Sequence, residues 1–368
     1  MYNIPLAKPN ITEDDLNCVT KVLRSGMLVQ GKEVIEFEKK IAQYIGTKEA
    51  IAVSNGTASL HLSLVALGIG AGDEVIVPAF SFVATANVVE LVGATPIFVD
   101  IELASFNIDV TKIEEVITSK TKAIIPVHEF GLTCNILEIN EIAKKHAFFV
   151  IEDAACALGA QENSHSSGSL GNTGSFSFHP RKAITSGEGG IITTNNSELA
   201  KKLRALRNHG ISVENGKIDF TEAGFNYRLT DIQAALLNSQ FKRFNNQLIR
   251  KKEIAAYYLK HMKNDLVTLP TQYQSKTHAW QTFHILLDKR LNRANIIEKL
   301  KTKGIGSNYG AQCIPFMSFY QKKYNIDCSQ EYPNALHAYN HGLAIPLYDT
   351  LNIEEIEYIT KEINNIEI

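Results

Sequence analysis

Lys182 stands between an apolar stretch, SFSFHP (175–180), and a glycine-rich turn, GEGG (187–190). An isolated loop lysine is nearly always a solvated surface charge. Flanks that are mostly apolar or small point instead to a partly desolvated amine, which is a nucleophile. About thirty residues earlier, the strand-like part of VIEDAACALGA (150–160) ends in two carboxylates, Glu152 and Asp153. A carboxylate at the C-terminal end of a parallel strand lies on the edge where open sheets place their ligands; the plainer alternative is that Asp153 caps the next helix. Earlier still, SNGTAS (54–59) joins an apolar run to a helical pattern with Leu60, Leu64 and Leu67 on one face. A small-residue turn entering a helix presents unpaired N–H groups and a positive dipole end, which suits a phosphate. Its alternative is an ordinary turn capped by Thr57. A phosphate site, an acid at the end of a central strand and an amine nucleophile are together what pyridoxal phosphate requires. Its aldehyde forms a Schiff base with lysine, its ring nitrogen takes an aspartate partner and its phosphate takes backbone donors.

These residues need a scaffold, and from about residue 50 to 210 short β-rich runs alternate with helical patterns, the signature of βαβ units in a mainly parallel sheet. The strand candidates are AIAVS (50–54), DEVIVPA (73–79), TPIFVDI (95–101), TKAIIPVH (121–128), AFFVIED (147–153), GSFSFH (174–179) and GGIITTN (189–195). Thr111 and Glu114 have capping-box spacing ahead of Ile113, Val116 and Ile117, and Ser197 is placed to cap a helix carrying Leu199, Leu203 and Leu206 that stops at Gly210. Thr230 with Gln233 opens one long helix, charged along one side, leading out of the first unit. The remainder mixes a strand (282–288) with helices over 293–304 and 352–363. The expected organisation is a large domain over residues 1–245 and a smaller C-terminal α+β domain over 246–368.

Composition narrows the function classes. Lys plus Arg number 37 against 39 Asp plus Glu, a formal charge of −2, which speaks against a general nucleic-acid binder or an electrostatically held membrane protein. The five cysteines, at 18, 134, 156, 313 and 328, are scattered and never form C-x-x-C, so they read as reduced thiols rather than a disulfide frame or zinc cage. His128, His179 and His209 lack acidic or cysteine partners at ligand spacing, and no metal site is expected. MYNIPLAKPNITEDD is unlike a signal peptide and no segment has membrane-span length, so the expectation is a cytoplasmic protein without membrane or nucleic-acid partners.

Over nearly its whole length the chain resembles the DegT family of sugar aminotransferases, fold type I pyridoxal-phosphate enzymes. The resemblance is carried by NGTASLHL (55–62), the run DEVIVPAFSFVATANVVELVGATPIFVDI (73–101), TKAIIPVHEFG (121–131) and EDAACALGA (152–160). SFHPRK (177–182) with GEGG, LRNHG (206–210) and GFNYRLTDIQAA (224–235) complete it. It implies an α/β fold with helices on both faces of a mainly parallel sheet. It implies Lys182 as the Schiff-base lysine, Asp153 as partner of the ring nitrogen, Gly56, Thr57 and Ser177 as phosphate ligands, and Phe82 stacked on the cofactor face. Phe82 read by itself could equally be core. The resemblance further implies that Asn226 reaches the phosphate of a neighbouring subunit, so that a homodimer shares its sites. It implies an amino group moved from an amino acid, with glutamate the expected donor, to a nucleotide-linked ketosugar.

Departures from the family pattern accompany the match. Cys156 replaces the Gln or His that many relatives place beside the cofactor's ring hydroxyl, and a thiol is a much weaker partner there. GSNYGAQCIPFMSFY (306–320) lacks the His that relatives often carry near the sugar, and ENSHSSGSLGNTG (162–174) is unusually polar. Three rival readings accompany the aminotransferase: a sugar dehydratase of the same fold, whose members carry His at position 182; a non-catalytic sensory or regulatory protein; and a nucleotide-binding α/β enzyme. The third is disfavoured because neither G-x-x-x-x-G-K-[ST] nor G-x-G-x-x-G occurs.

Overall fold

Seven apolar strands of the first 200 residues assemble into one sheet. In chain order they are β1 (Glu49–Val53), β2 (Glu74–Pro78), β3 (Thr95–Val99), β4 (Thr121–Ile124), β5 (Phe149–Asp153), β6 (Thr173–Ser177) and β7 (Gly190–Thr194). The computed structural model describes residues 2–214 and 216–368. Strand order across the sheet is β1-β7-β6-β5-β4-β2-β3. The pairs β3–β2, β2–β4, β4–β5 and β5–β6 are parallel, while β7 runs antiparallel to both β6 and β1. The expected α/β architecture with a mainly parallel sheet is the one observed.

Both faces of the sheet are covered, which is why its strands read as nearly unbroken apolar runs. On β2, Val75 and Val77 pack with Leu60 and Leu64 of the Gly56–Ala66 helix, whereas Ile76 faces Ile124, Val150, Ile136 and Ile139 on the other side. Each such fully buried side chain contributes roughly 1.5–3 kcal/mol of burial free energy. A second, three-stranded antiparallel sheet has Phe283–Leu287 between Val267–Thr268 and Gly342–Ile345. Its core joins Phe283, Ile285 and Leu343 with Ile296, Ile356 and Ile359, and recruits Ile4 from the start of the chain. Ala311, Cys313, Ile314 and Tyr320 pack instead into the core that holds Val75 and Phe80.

Three local expectations are corrected. The Thr111–Glu114 capping box is not formed: two 3-10 turns, Val110–Lys112 and Glu114–Val116, replace the helix, because the Asp109 carboxylate captures both the amide and the hydroxyl of Thr111. The helix Ser197–Arg207 is capped by Asn196, whose side chain accepts from the amides of Glu198 and Leu199, leaving Ser197 inside the first turn. The long exit helix is two helices, Asp231–Phe241 and Phe244–His261. Thr230 and Gln233 do form the capping box, but the chain tightens into i→i−3 bonds at Lys242 and Arg243, where the Arg243 guanidinium grips Asp15 at 2.6 and 2.9 Å. Its second part buries Phe244, Gln247, Leu248, Lys251, Ile254, Ala255 and Tyr258 along one stripe. No helix among the described residues is long and apolar enough to cross a membrane.

Candidate active site

The carboxyl edge of the parallel strands opens into a cavity of about 660 Å³. Seven of the sequence-selected residues line it: Gly56, Thr57, Phe82, Asp153, Cys156, Ser177 and Lys182. Asn226 does not line it; it is exposed and bridges to Asn208, while its neighbour Tyr227 reaches the cavity wall.

One corner is built by the turn after β1. Asn55, not Thr57, caps the Gly56–Ala66 helix, its side chain accepting from Ala58 N at 2.8 Å. Thr57 is thereby left exposed within the first turn, whose amides have no partner inside the helix. Gly56 backs directly onto the end of β6: a Cβ there would come within 2.9 Å of the Ser177 Cβ. Glycine is the residue that lets the helix N-terminus approach the Ser177 side chain this closely, and amides left free at a helix N-terminus can receive an anion.

The paired acids of β5 are separated by the pleat, since successive strand residues face opposite sides. Glu152 points away from the cavity into a fully buried network. It accepts from the amides of Gly168, Leu170 and Gly171 at 2.6–2.8 Å, and the His128 Nε2 lies 2.8 Å from its Oε2. The Cys134 amide donates to His128 Nδ1, which places the ring proton on Nε2. Burial alone would raise the Glu152 carboxyl, but the His128 ring and the amides of Gly171 and Gly168 hold it below the usual range. Glu152 is therefore structural. Asp153 faces the cavity, 5% exposed, with Thr85 Oγ1 donating to Oδ2 at 2.9 Å and Ala155 N to Oδ1 at 3.2 Å. Burial pushes its carboxyl up against the pull of these donors and of Lys182, so a cationic ring partner would find a carboxylate held in place and short of positive charge.

Lys182 reaches the same cavity from the loop after β6, and its Nζ donates to Cys156 Sγ at 3.0 Å. Burial raises the Cys156 thiol and the Lys182 charge partly offsets this. Phe82 is 57% exposed at the cavity, so the core reading of this residue is wrong; the core aromatic of PAFSF is Phe80, fully buried. Sequence reasoning passed over Glu129, Thr85 and Ser81, which also line the cavity. A signal for Glu129 did exist: a carboxylate directly follows the apolar run AIIPVH (123–128).

A helix N-terminus beside the Ser177 hydroxyl, a buried carboxylate and an amine thus line one cavity. A family model described as the DegT/DnrJ/EryC1/StrS aminotransferase family matches residues 9–364. The chain belongs to that family. It is 41% identical over 309 residues to the GDP-perosamine synthase of Caulobacter vibrioides, covering 83% of each chain. It is 38% identical over 347 residues to the dTDP-3-amino-3,6-dideoxy-alpha-D-galactopyranose transaminase of Aneurinibacillus thermoaerophilus, covering 94% of this chain and 93% of that one. Among solved structures, the PLP form of Spr1654 from Streptococcus pneumoniae superposes with a TM-score of 0.93 at 31% identity, covering 99% of this chain and 98% of the other. Membership in this aminotransferase family makes the chain an enzyme, and the rival of a non-catalytic regulator falls away. The dehydratase reading loses its footing too, because position 182 is a lysine that reaches the cavity.

Proposed function

We propose that this aminotransferase uses pyridoxal phosphate to move an amino group from glutamate to a nucleotide-linked ketosugar. The observation that carries the reading is the convergence of Lys182, Asp153 and the Gly56–Thr57–Ser177 cradle on one cavity. The residues fit the cofactor: the close approach of Gly56 to Ser177 shapes a phosphate seat, and Asp153 is a buried acid fixed by Thr85 and Ala155. When bound, the cofactor supplies an aldehyde to capture the amine and a protonated ring to accept electrons. Lys182 would hold the cofactor through Nζ, and the same Nζ, when free, would take the proton from the donor's α-carbon. Asp153 would keep the ring nitrogen protonated, because an adjacent anion favours the charged form of a base. Phe82, exposed at the cavity, would offer its aromatic face to the ring. The sugar substrate is supported by the curated relatives, both named for nucleotide-linked aminosugars.

Incubation with glutamate and a panel of nucleotide-linked 3- and 4-ketosugars, read by mass spectrometry, is expected to yield 2-oxoglutarate and one aminosugar in equal amounts. An enzyme that deaminates glutamate yet aminates no member of the panel, while aminating simple oxo acids, would overturn the sugar assignment.

We further propose that Asn226 serves the phosphate bound in a second copy of the chain. Its exposure and its position outside its own cavity favour this. Mixing inactive Lys182→Ala chains with inactive Asn226→Asp chains is expected to restore activity, since one site of the mixed dimer takes both damaged residues and the other neither. The aspartate is chosen for its repulsion of phosphate. No recovery after demonstrated subunit exchange would place Asn226 in its own chain's site or in none.

A further inference from the structure

Glu129 is the buried acid of the cavity that the proposed cycle leaves without a task. It is 4% exposed, lines the cavity, and its Oε2 has no hydrogen-bond partner. Buried polar atoms in folded proteins are nearly always satisfied, so an unpaired carboxyl oxygen on a residue that lines a ligand cavity leaves hydrogen-bonding capacity for the ligand to complete. Its position in the sheet narrows which contact. Asp153 ends β5, and the phosphate cradle lies toward β6 and β1 on one flank. The other flank is β4, whose continuation pairs Val127 with Asp153 and then presents Glu129. In pyridoxal phosphate the phosphate arm and the ring hydroxyl stand on opposite sides of the axis from ring nitrogen to aldehyde carbon. With the nitrogen at Asp153 and the phosphate toward β6, the hydroxyl oxygen faces the β4 side.

We infer that the Glu129 carboxyl donates a hydrogen bond to the ring hydroxyl oxygen of the cofactor, taking over a contact that Cys156 is too weak to make. The inference rests on the pyridoxal-phosphate reading above. The Cys156 thiol is a weak hydrogen-bond donor, so it competes poorly for the ring oxygen. Donation requires the protonated acid, and the surroundings favour it: burial pushes the Glu129 carboxyl up to about 8, the Asp153 charge adds to this, and Ser81, Lys182 and the Phe130 amide only partly offset it. The groups facing it are thus Asp153 and Cys156 from β5 and its following turn, Lys182 from the loop after β6, and Ser81 from the segment after β2.

The test uses the holoenzyme and reads the pH midpoint of the visible absorption of the lysine-bound cofactor, together with the infrared spectrum of the protein. A neutral donor stabilises the ring oxygen as its anion, so Glu129→Leu is expected to raise the midpoint by about one pH unit, while Glu129→Gln, which keeps an N–H donor, leaves it near wild type. Cys156→Ala is expected to leave it unchanged. The wild-type infrared spectrum at pH 7 is expected to contain a carboxylic-acid C=O band that Glu129→Gln lacks, a readout that survives if the leucine variant fails to fold. A midpoint that stays put or falls in Glu129→Leu, a midpoint that moves only in Cys156→Ala, or the absence of that band overturns the inference while leaving the cofactor reading intact. A wild-type protein that develops no visible absorption with pyridoxal phosphate overturns both.

Discussion

Lys182→Ala is expected to lower transamination by at least about 10³-fold and to abolish the visible absorption of the protein mixed with pyridoxal phosphate. One side chain is asked to do two jobs, nucleophile and general base, and loss of a positioned general base alone costs roughly 10²–10⁴-fold. The folded state should tolerate the change. Lys182 is only half-buried and its Nζ makes a single bond, to the Cys156 thiol. The covalent assignment is checked separately by borohydride reduction of the wild-type holoenzyme and peptide mapping, with the pyridoxyl label expected on Lys182. Lys251 is the competitor to watch. It is buried, and burial pulls its ammonium down to about 8 despite Asp349, so it too is a potential amine nucleophile. A label on Lys251, or on any other lysine, would end the assignment of Lys182.

Asp153→Asn is expected to slow the half-reaction with glutamate by roughly 10- to 1,000-fold while the protein still binds cofactor. A neighbouring anion raises the pKa of a ring nitrogen by about one to three units, and removing it depletes the protonated ring in proportion. The substitution separates catalysis from folding. In the free protein, burial pushes the Asp153 carboxyl up, so an ionised acid there costs stability that asparagine would not. Asparagine can still accept from Thr85 or the Ala155 amide. Thermal stability without cofactor is therefore expected to hold or rise as the rate falls. A variant with a near-normal half-reaction would show that another group serves the ring nitrogen, and Glu129 would be the first candidate.

What the sequence by itself determined is what depends on local pattern. Unbroken apolar runs separated by helical spacing specified a mainly parallel sheet, because strands buried on both faces cannot alternate. Residue chemistry near strand ends singled out Lys182, Asp153 and the SNGTAS turn, because open α/β sheets present ligands at that edge. Helix boundaries were legible where the cap is strictly local, as at Thr230 and Gln233, and illegible where a rival acceptor intervened, as at Asp109 beside Thr111. Tertiary structure alone decided the division of labour between Glu152 and Asp153. Adjacent in sequence and alike in chemistry, they are sent to opposite faces by the pleat, one into a buried network with His128 and three amides, the other into the cavity. It also decided that Phe80 is core and Phe82 is cavity wall, two aromatics that no spacing argument tells apart. Glu129 was hidden for the same reason: its meaning comes from lying beside Asp153 across two strands, more than twenty residues away along the chain, and only the pairing of those strands brings the two acids together.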